Sequence, residues 1–309
     1  MLTRRSMMGV TTSALLLAAC SGDEAAKDAM TDTVSYKRKA GQPKVGIQTY
    51  TIRDAMEEDT QAALQMLKDV GYDFLETNER DYSRIPMADL KQAIDAVGLP
   101  VVSTHIGSEA VAPGGDLQSG IDAAKALGAE YAVLSWTPEQ YRSTEGYKTM
   151  AARFNEVGEA MLAEGIRFGY HNHHFEFWEI DGPRSGMDIY LEETDPAKVW
   201  FELDMFWTAL GDADPIALFR AHPGRFKLCH IKDMNKAGLV NYTKGDLDFG
   251  SIHKGLMVNV GEGDLDFESW LKMSDISGIE HLITEHDAPP APLRDSVAMS
   301  LKTVRGYNL

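Results

Sequence analysis

Glu176 in YHNHHFEF, Asp204 in VWFELDMFW, His230 in RFKLCHIKD and Glu285 in HLITEHD each stand at or near the end of an apolar run. Successive members are 28, 26 and 55 residues apart. Three carboxylates and one imidazole brought to one point would hold a hard or borderline divalent cation, Mn2+ first, then Mg2+ or Co2+. A Zn2+ site more often carries further His or Cys ligands. The alternative is a buried ion-pair network, for example Lys232 against Glu202.

The spacing says which elements must position these groups. A strand, a helix and their loops take about 25–30 residues, so the first two intervals are one unit each and the third is a unit with an insertion. Strand candidates are 44–49, 72–76, 100–105, 131–135, 166–171, 198–204, 225–231 and 280–285. Amphipathic runs between them close on Gly71, Gly98, Gly128 and Gly165, as helices do. Eight such alternations predict a single-domain α/β fold, a (β/α)8 TIM barrel over 44–309, with a doubly wound open sheet as runner-up. The stretch 234–266 breaks the rhythm and reads as a long inserted loop on the active-site face, with GEGD at 261–264 a turn. Inward positions repeat every second residue, which pairs Glu202 with Asp204, His230 with Lys232, and Ile283 with Glu285. Glu176 is out of phase with His171 and His173, so it must lie beyond a bend.

Residues 1–19 read as a signal peptide: Arg4 and Arg5 precede the apolar run Met7–Ala19, too short to span a bilayer. LAAC resembles a bacterial lipobox, which would lipidate Cys20, and TRRSMM resembles a twin-arginine signal. Residues 20–43 then form a lipidated N-terminus and a flexible tether. The expected product is an exported lipoprotein, membrane-anchored on the periplasmic side. The formal charge of −17 argues against nucleic acid as a partner. Cys229, the other of two cysteines, reads as a buried small hydrophobe.

VGIQTYTIRDAMEED, YHNHHFEF, ELDMFW followed by GDADP, and LCHIKD resemble the sugar isomerase/epimerase superfamily with its xylose-isomerase-like barrel. The resemblance implies that Glu176, Asp204, His230 and Glu285 are the metal ligands, and that Glu176 and Glu285 also exchange the proton. Trp207 stands where ketose 3-epimerases have a substrate-binding histidine, and HIKD replaces an arginine-bearing stretch. HNH and HIKD look nearer to the inosose dehydratase and 3-keto-glycoside-cleaving branches.

The chemistry so implied is proton abstraction beside a metal-held carbonyl, through an enediolate. Returning the proton elsewhere gives an isomerase or epimerase of an unphosphorylated keto-sugar, the first expectation. Expelling a β-substituent gives a lyase on 3-keto-glycosides, the close alternative, with His171, His173 or Lys232 as the acid. A non-catalytic sugar-binding lipoprotein is the rival of another class, and phosphodiester cleavage lacks its basic face. Catalytic candidates are therefore Glu176, Glu285, His173 and Lys232. Substrate-binding candidates are His105, Trp136, His171 and Trp207, the two tryptophans as stacking faces for a sugar. A homo-oligomer is compatible with all of this.

Overall fold

Along most barrel strands the inward-facing residues change from apolar or small at the N-terminal end to polar or charged at the C-terminal end. The computed structural model describes residues 43–243 and 248–309, so the expected signal peptide and all but the last position of the tether lie outside the described residues. Eight parallel strands close a barrel: β1 (Val45–Gln48), β2 (Phe74–Thr77), β3 (Val101–Ile106), β4 (Tyr131–Leu134), β5 (Arg167–His171), β6 (Val199–Asp204), β7 (Phe226–Ile231) and β8 (His281–Thr284). β1 pairs with both β2 and β8, which completes the ring. The expected strands are found to within two residues at each end, and the open sheet is excluded.

Two separate apolar clusters explain the stability of this arrangement. The larger one lies between the strands and the surrounding helices, because parallel strands with crossover helices bury both faces. The smaller one, Phe74, Tyr131, Val133, Leu228 and Ile283, plugs the lower half of the barrel. Gly46 on β1 makes room for it: a Cβ there would lie 2.1 Å from the Phe74 ring. Above the plug the same inward phase carries Gln48, Glu76, His105, His171, Glu202, Asp204 and His230, all buried. Helices such as Met87–Val97 and Leu117–Leu127 stop where Gly98 and Gly128 turn left-handed, at φ of 65° and 72°, a conformation costly for other residues.

The stretch after β7 is more ordered than a loop. Asp233–Met234 pairs antiparallel with Met257–Val258, and a helix runs from Phe249 to Leu256. Asp233 holds its return: the carboxylate accepts from the backbone N–H groups of Gly261, Gly263 and Leu265 at 2.9, 3.0 and 3.3 Å. The GEGD turn is thus wrapped around a buried anion of the chain itself.

Candidate metal centre

Each of the last four strands delivers one metal-capable side chain at its C-terminal end. His171 is the last residue of β5 and Asp204 the last of β6. His230 is next to last in β7, and Glu285 follows β8 directly. Register places Asp204 beside His230, and His230 beside Ile283. Asp204 Oδ2 lies 3.9 Å from His171 Nε2 and 3.8 Å from His230 Nδ1. Glu285 Oε2 lies 2.8 Å from His230 Nδ1. Among the described residues, Asp204, His230 and Glu285 form one buried group whose donor atoms could share an ion, and His171 Nε2 adjoins it.

The donor set at this point could hold a cation; without one, Lys232 answers Asp204 and Glu285, and, against burial, Glu202, Glu76 and Glu285 raise the His230 pKa well above the usual imidazole value. Asp204 Oδ1 is used up as the cap of the helix Met205–Leu210, accepting from Trp207 N at 2.8 Å. Its Oδ2, like His230 Nδ1, is buried without a hydrogen-bond partner. Nδ1 and Glu285 Oε2 are close but not aligned as donor and acceptor. Buried polar atoms left this way cost free energy unless a ligand satisfies them. A divalent ion held by these lone pairs would do so, and the residues fit one.

Lys232 closes the site from above. Its ammonium is buried 2.7 Å from Glu285 Oε2, 3.3 Å from Asp204 Oδ2 and 3.2 Å from Asp287 Oδ1. Burial works against that charge, but Asp287, Glu285 and Asp204 hold its pKa well above the usual lysine value. One ammonium among three carboxylates leaves negative charge over. The buried ion-pair network weighed as the alternative is thus present, though Lys232 pairs with Asp204, Glu285 and Asp287 and not with Glu202, which faces imidazoles.

Below the four residues lies a second layer of ionisable groups. His105 Nε2 stands 2.8 Å from Glu202 Oε2 and 3.2 Å from Glu76 Oε1. His171 Nδ1 is 3.0 Å from Glu202 Oε2, and His230 Nε2 is bonded to Glu76. Burial opposes the charges here too, yet Glu76 is held well below the usual carboxylate range by His105 and His230. His105 is pushed up to about 10 by Glu76 and Glu202. His171 moves the other way: burial, then the charge of His230, keeps it neutral. Asp204 is raised to about 6 by burial, against the pull of Lys232 and His230.

Two expectations change. Glu176 does not join the cluster. It sits in the turn Phe175–Phe177 with one oxygen on the Tyr170 hydroxyl and the other 2.9 Å from His173 N. Burial raises its pKa to about 7. The chain bends after His171, so the strand's own last inward residue takes the place expected for Glu176. Trp207 cannot offer a face to a sugar either, because it is fully buried against His174, Phe249 and His253.

The remaining candidates lie beside the cluster. His173 is half-buried, its ring 5.2 Å from both His171 and Trp136, and burial followed by Lys232 keeps it neutral. Trp136 is half-exposed and meets Phe249 of the excursion at 5.6 Å. These rings make one aromatic wall. His105 belongs to the buried carboxylate layer. Glu76, Asp287 and His253 were not anticipated. His253 Nε2 lies 2.9 Å from Asp287 Oδ2. Glu76 had a readable signal, an acid in the inward phase at the end of a strand; His253 had none.

A closed parallel barrel with a polyvalent site at its C-terminal mouth defines a metal-capable TIM-barrel enzyme site. The chain belongs to the xylose isomerase-like TIM barrel family, whose pattern matches residues 64–303. It is 25% identical over 149 residues to the inosose dehydratase of Clostridium perfringens, 48% of this chain and 49% of that protein. The chain thus spans about half the length of the curated relatives it matches. A sugar phosphate isomerase/epimerase of Parabacteroides distasonis is 26% identical, with a TM-score of 0.68 over 85% of this chain and 97% of that one. The IolI protein, solved with a zinc atom, shares the fold at 16% identity and a TM-score of 0.66, over 85% of this chain and 99% of that one.

Proposed function

We propose that this protein is a divalent-metal-dependent sugar enzyme that removes the proton beside a carbonyl and expels the group on the next carbon. It is then a carbon–oxygen lyase or hydratase for an unphosphorylated keto-sugar or 3-keto-glycoside. The observation that carries the choice is the sequestration of Glu176. A two-carboxylate proton exchange needs a base on each face of the sugar; Asp204 is fully buried, Asp287 is engaged by Lys232 and His253, and Glu285 is left as the carboxylate of the cluster that can act as a base.

His171 Nε2, Asp204 Oδ2, His230 Nδ1 and Glu285 would hold the ion. Two imidazoles and two carboxylates suit Mn2+, Co2+ or Zn2+, a softer set than three carboxylates and one imidazole. The zinc atom in IolI supports that range. A bound cation polarises the carbonyl and stabilises the charge left by the departing proton. Glu285 takes that proton, and the Lys232 ammonium beside it offsets the negative charge. The electron pair of the broken C–H bond forms a double bond as the β C–O bond breaks, and the leaving oxygen takes up the proton that Glu285 removed. His173 is the further proton-transfer group on the pocket wall, and Trp136 offers the apolar face for a ring.

An isomerase or epimerase is the second reading. The neutral ring of His173, whose Nδ1 lacks a partner, could serve as the second base, and the name of the Parabacteroides relative supports it. Incubation with Mn2+ and a 3-keto-glucoside in deuterated water separates the two. Aglycone release is expected; deuterium uptake without release would establish the epimerase, and tight binding with neither would establish a sugar-binding protein. For residues 1–43 the proposal stays that of a lipoprotein attached through Cys20. It predicts a diacylglyceryl-modified Cys20 at the mature N-terminus by mass spectrometry.

A further inference from the structure

We propose that Glu202 and Glu76 are positioning residues that decide which ring nitrogen His171 and His230 present to the cation. The proposal rests on the metal reading above and goes beyond it to the groups that make the two imidazoles fit. A neutral imidazole has one lone pair and one N–H, and the partner of the N–H determines which nitrogen is free to coordinate. His171 has Nδ1 at 3.0 Å from Glu202 Oε2, so Nε2 is left to face Asp204. His230 is turned the opposite way. Its Nε2 is bonded to Glu76 and lies 3.2 Å from Glu202 Oε2, leaving Nδ1 toward Asp204 and Glu285. Opposite tautomers on β5 and β7, the two strands that flank β6, call for two acceptors at the same depth, and the barrel supplies two.

Both carboxylates are fully buried; Glu76 is fixed by further contacts through both oxygens, and Glu202 through Oε2 alone, its Oε1 having no hydrogen-bond partner. Gln48 Nε2 donates to Glu76 Oε1 at 2.9 Å, and Ser103 donates to Oε2. His105 Nε2 lies between Glu76 and Glu202 and ties the two together. The strand pairing shifts register at each of them, between Leu75 and Glu76 and between Phe201 and Glu202, and such irregularities re-aim side chains. A rival arrangement would place an ion among His105, His171, Glu202 and His230, whose donor atoms also approach one another. The nitrogen–oxygen separations of 2.8 and 3.0 Å to Glu202 are hydrogen-bond lengths. They describe imidazoles donating to a carboxylate, which is what an orienting layer needs.

The test is calorimetric titration of Mn2+ into the chelator-treated full chain, with the visible spectrum of the Co2+-loaded protein as a second readout. Glu202→Ala and Glu76→Ala should each weaken Mn2+ binding by about 10–100-fold and alter the Co2+ spectrum. Glu202→Gln, which keeps an acceptor oxygen, should recover part of the loss. In a His171→Ala background, Glu202→Ala should cost less than about threefold further, because positioning through a missing ring has little left to act on. Should Glu202→Ala not fold, Glu202→Gln in the two backgrounds makes the same comparison. Unchanged affinity in the Glu202 and Glu76 variants, or losses that multiply independently of His171, would overturn the proposal while the metal site stood. A wild-type chain that binds neither ion would remove the metal reading itself.

Discussion

Glu285 and Glu176 are both buried glutamates near the mouth of the barrel, yet their surroundings give them different work. Glu285 shares its oxygen with His230 and Lys232, where a base beside a cation belongs. Glu285→Gln should lower kcat by about 10²–10⁴-fold with an unchanged circular dichroism spectrum; activity within tenfold of wild type would remove it as the base. Glu176 is held by Tyr170 and His173 N away from the cluster, and burial raises its pKa from 4.5 to about 7. A raised carboxyl is protonated in the folded chain while already ionised in the unfolded one, so stability falls as pH rises from about 4.5 to about 7. At about 1.4 kcal/mol per pH unit the loss totals about 3 kcal/mol. Glu176→Gln should abolish that slope, so urea melts at pH 5 and pH 8 should lie closer together than in wild type. An unaltered gap would mean that Glu176 is ionised in the fold. The sequence pattern alone placed Asp204, His230 and Glu285 by their period-two phase. The same rule pointed to His171, whereas Glu176 was suggested by its place near the end of the apolar run and its spacing to Asp204, although it lies out of that phase.

At the scale of elements, the strand–helix alternation was legible because parallel strands buried on both faces read as short apolar runs, and glycines mark where helices stop. The excursion after β7 was legible as an insertion, but its strand pair and helix were not, because tertiary bonds hold them. Asp233 accepts from Gly261, Gly263 and Leu265, about 30 residues further along the chain, and no local pattern announces that. The inward plug depends on β1 giving way to β2. Gly46→Ala would place a Cβ 2.1 Å from the Phe74 ring and should cost about 1–3 kcal/mol in urea unfolding. Adding Phe74→Leu should restore part of it. An equal loss with and without the second change would show that Gly46 serves the backbone and not the plug.

Over the described residues the barrel has a closed apolar plug as its lower half and a stack of charged layers as its upper half. Glu76, His105 and Glu202 form the lower layer; His171, Asp204, His230 and Glu285 form the one above it; Lys232 and the aromatic wall of Trp136, His173 and Phe249 close the mouth. Stability and chemistry are divided along the strand axis, as expected where the active site occupies the C-terminal face of a parallel barrel. The most direct measurement is anomalous diffraction at the manganese edge from crystals soaked in Mn2+. One peak is predicted, about 2.0–2.4 Å from His171 Nε2, Asp204 Oδ2, His230 Nδ1 and a Glu285 oxygen. A peak lower down among His105, Glu202 and Glu76, or no peak in this mouth at full soak, would contradict the account.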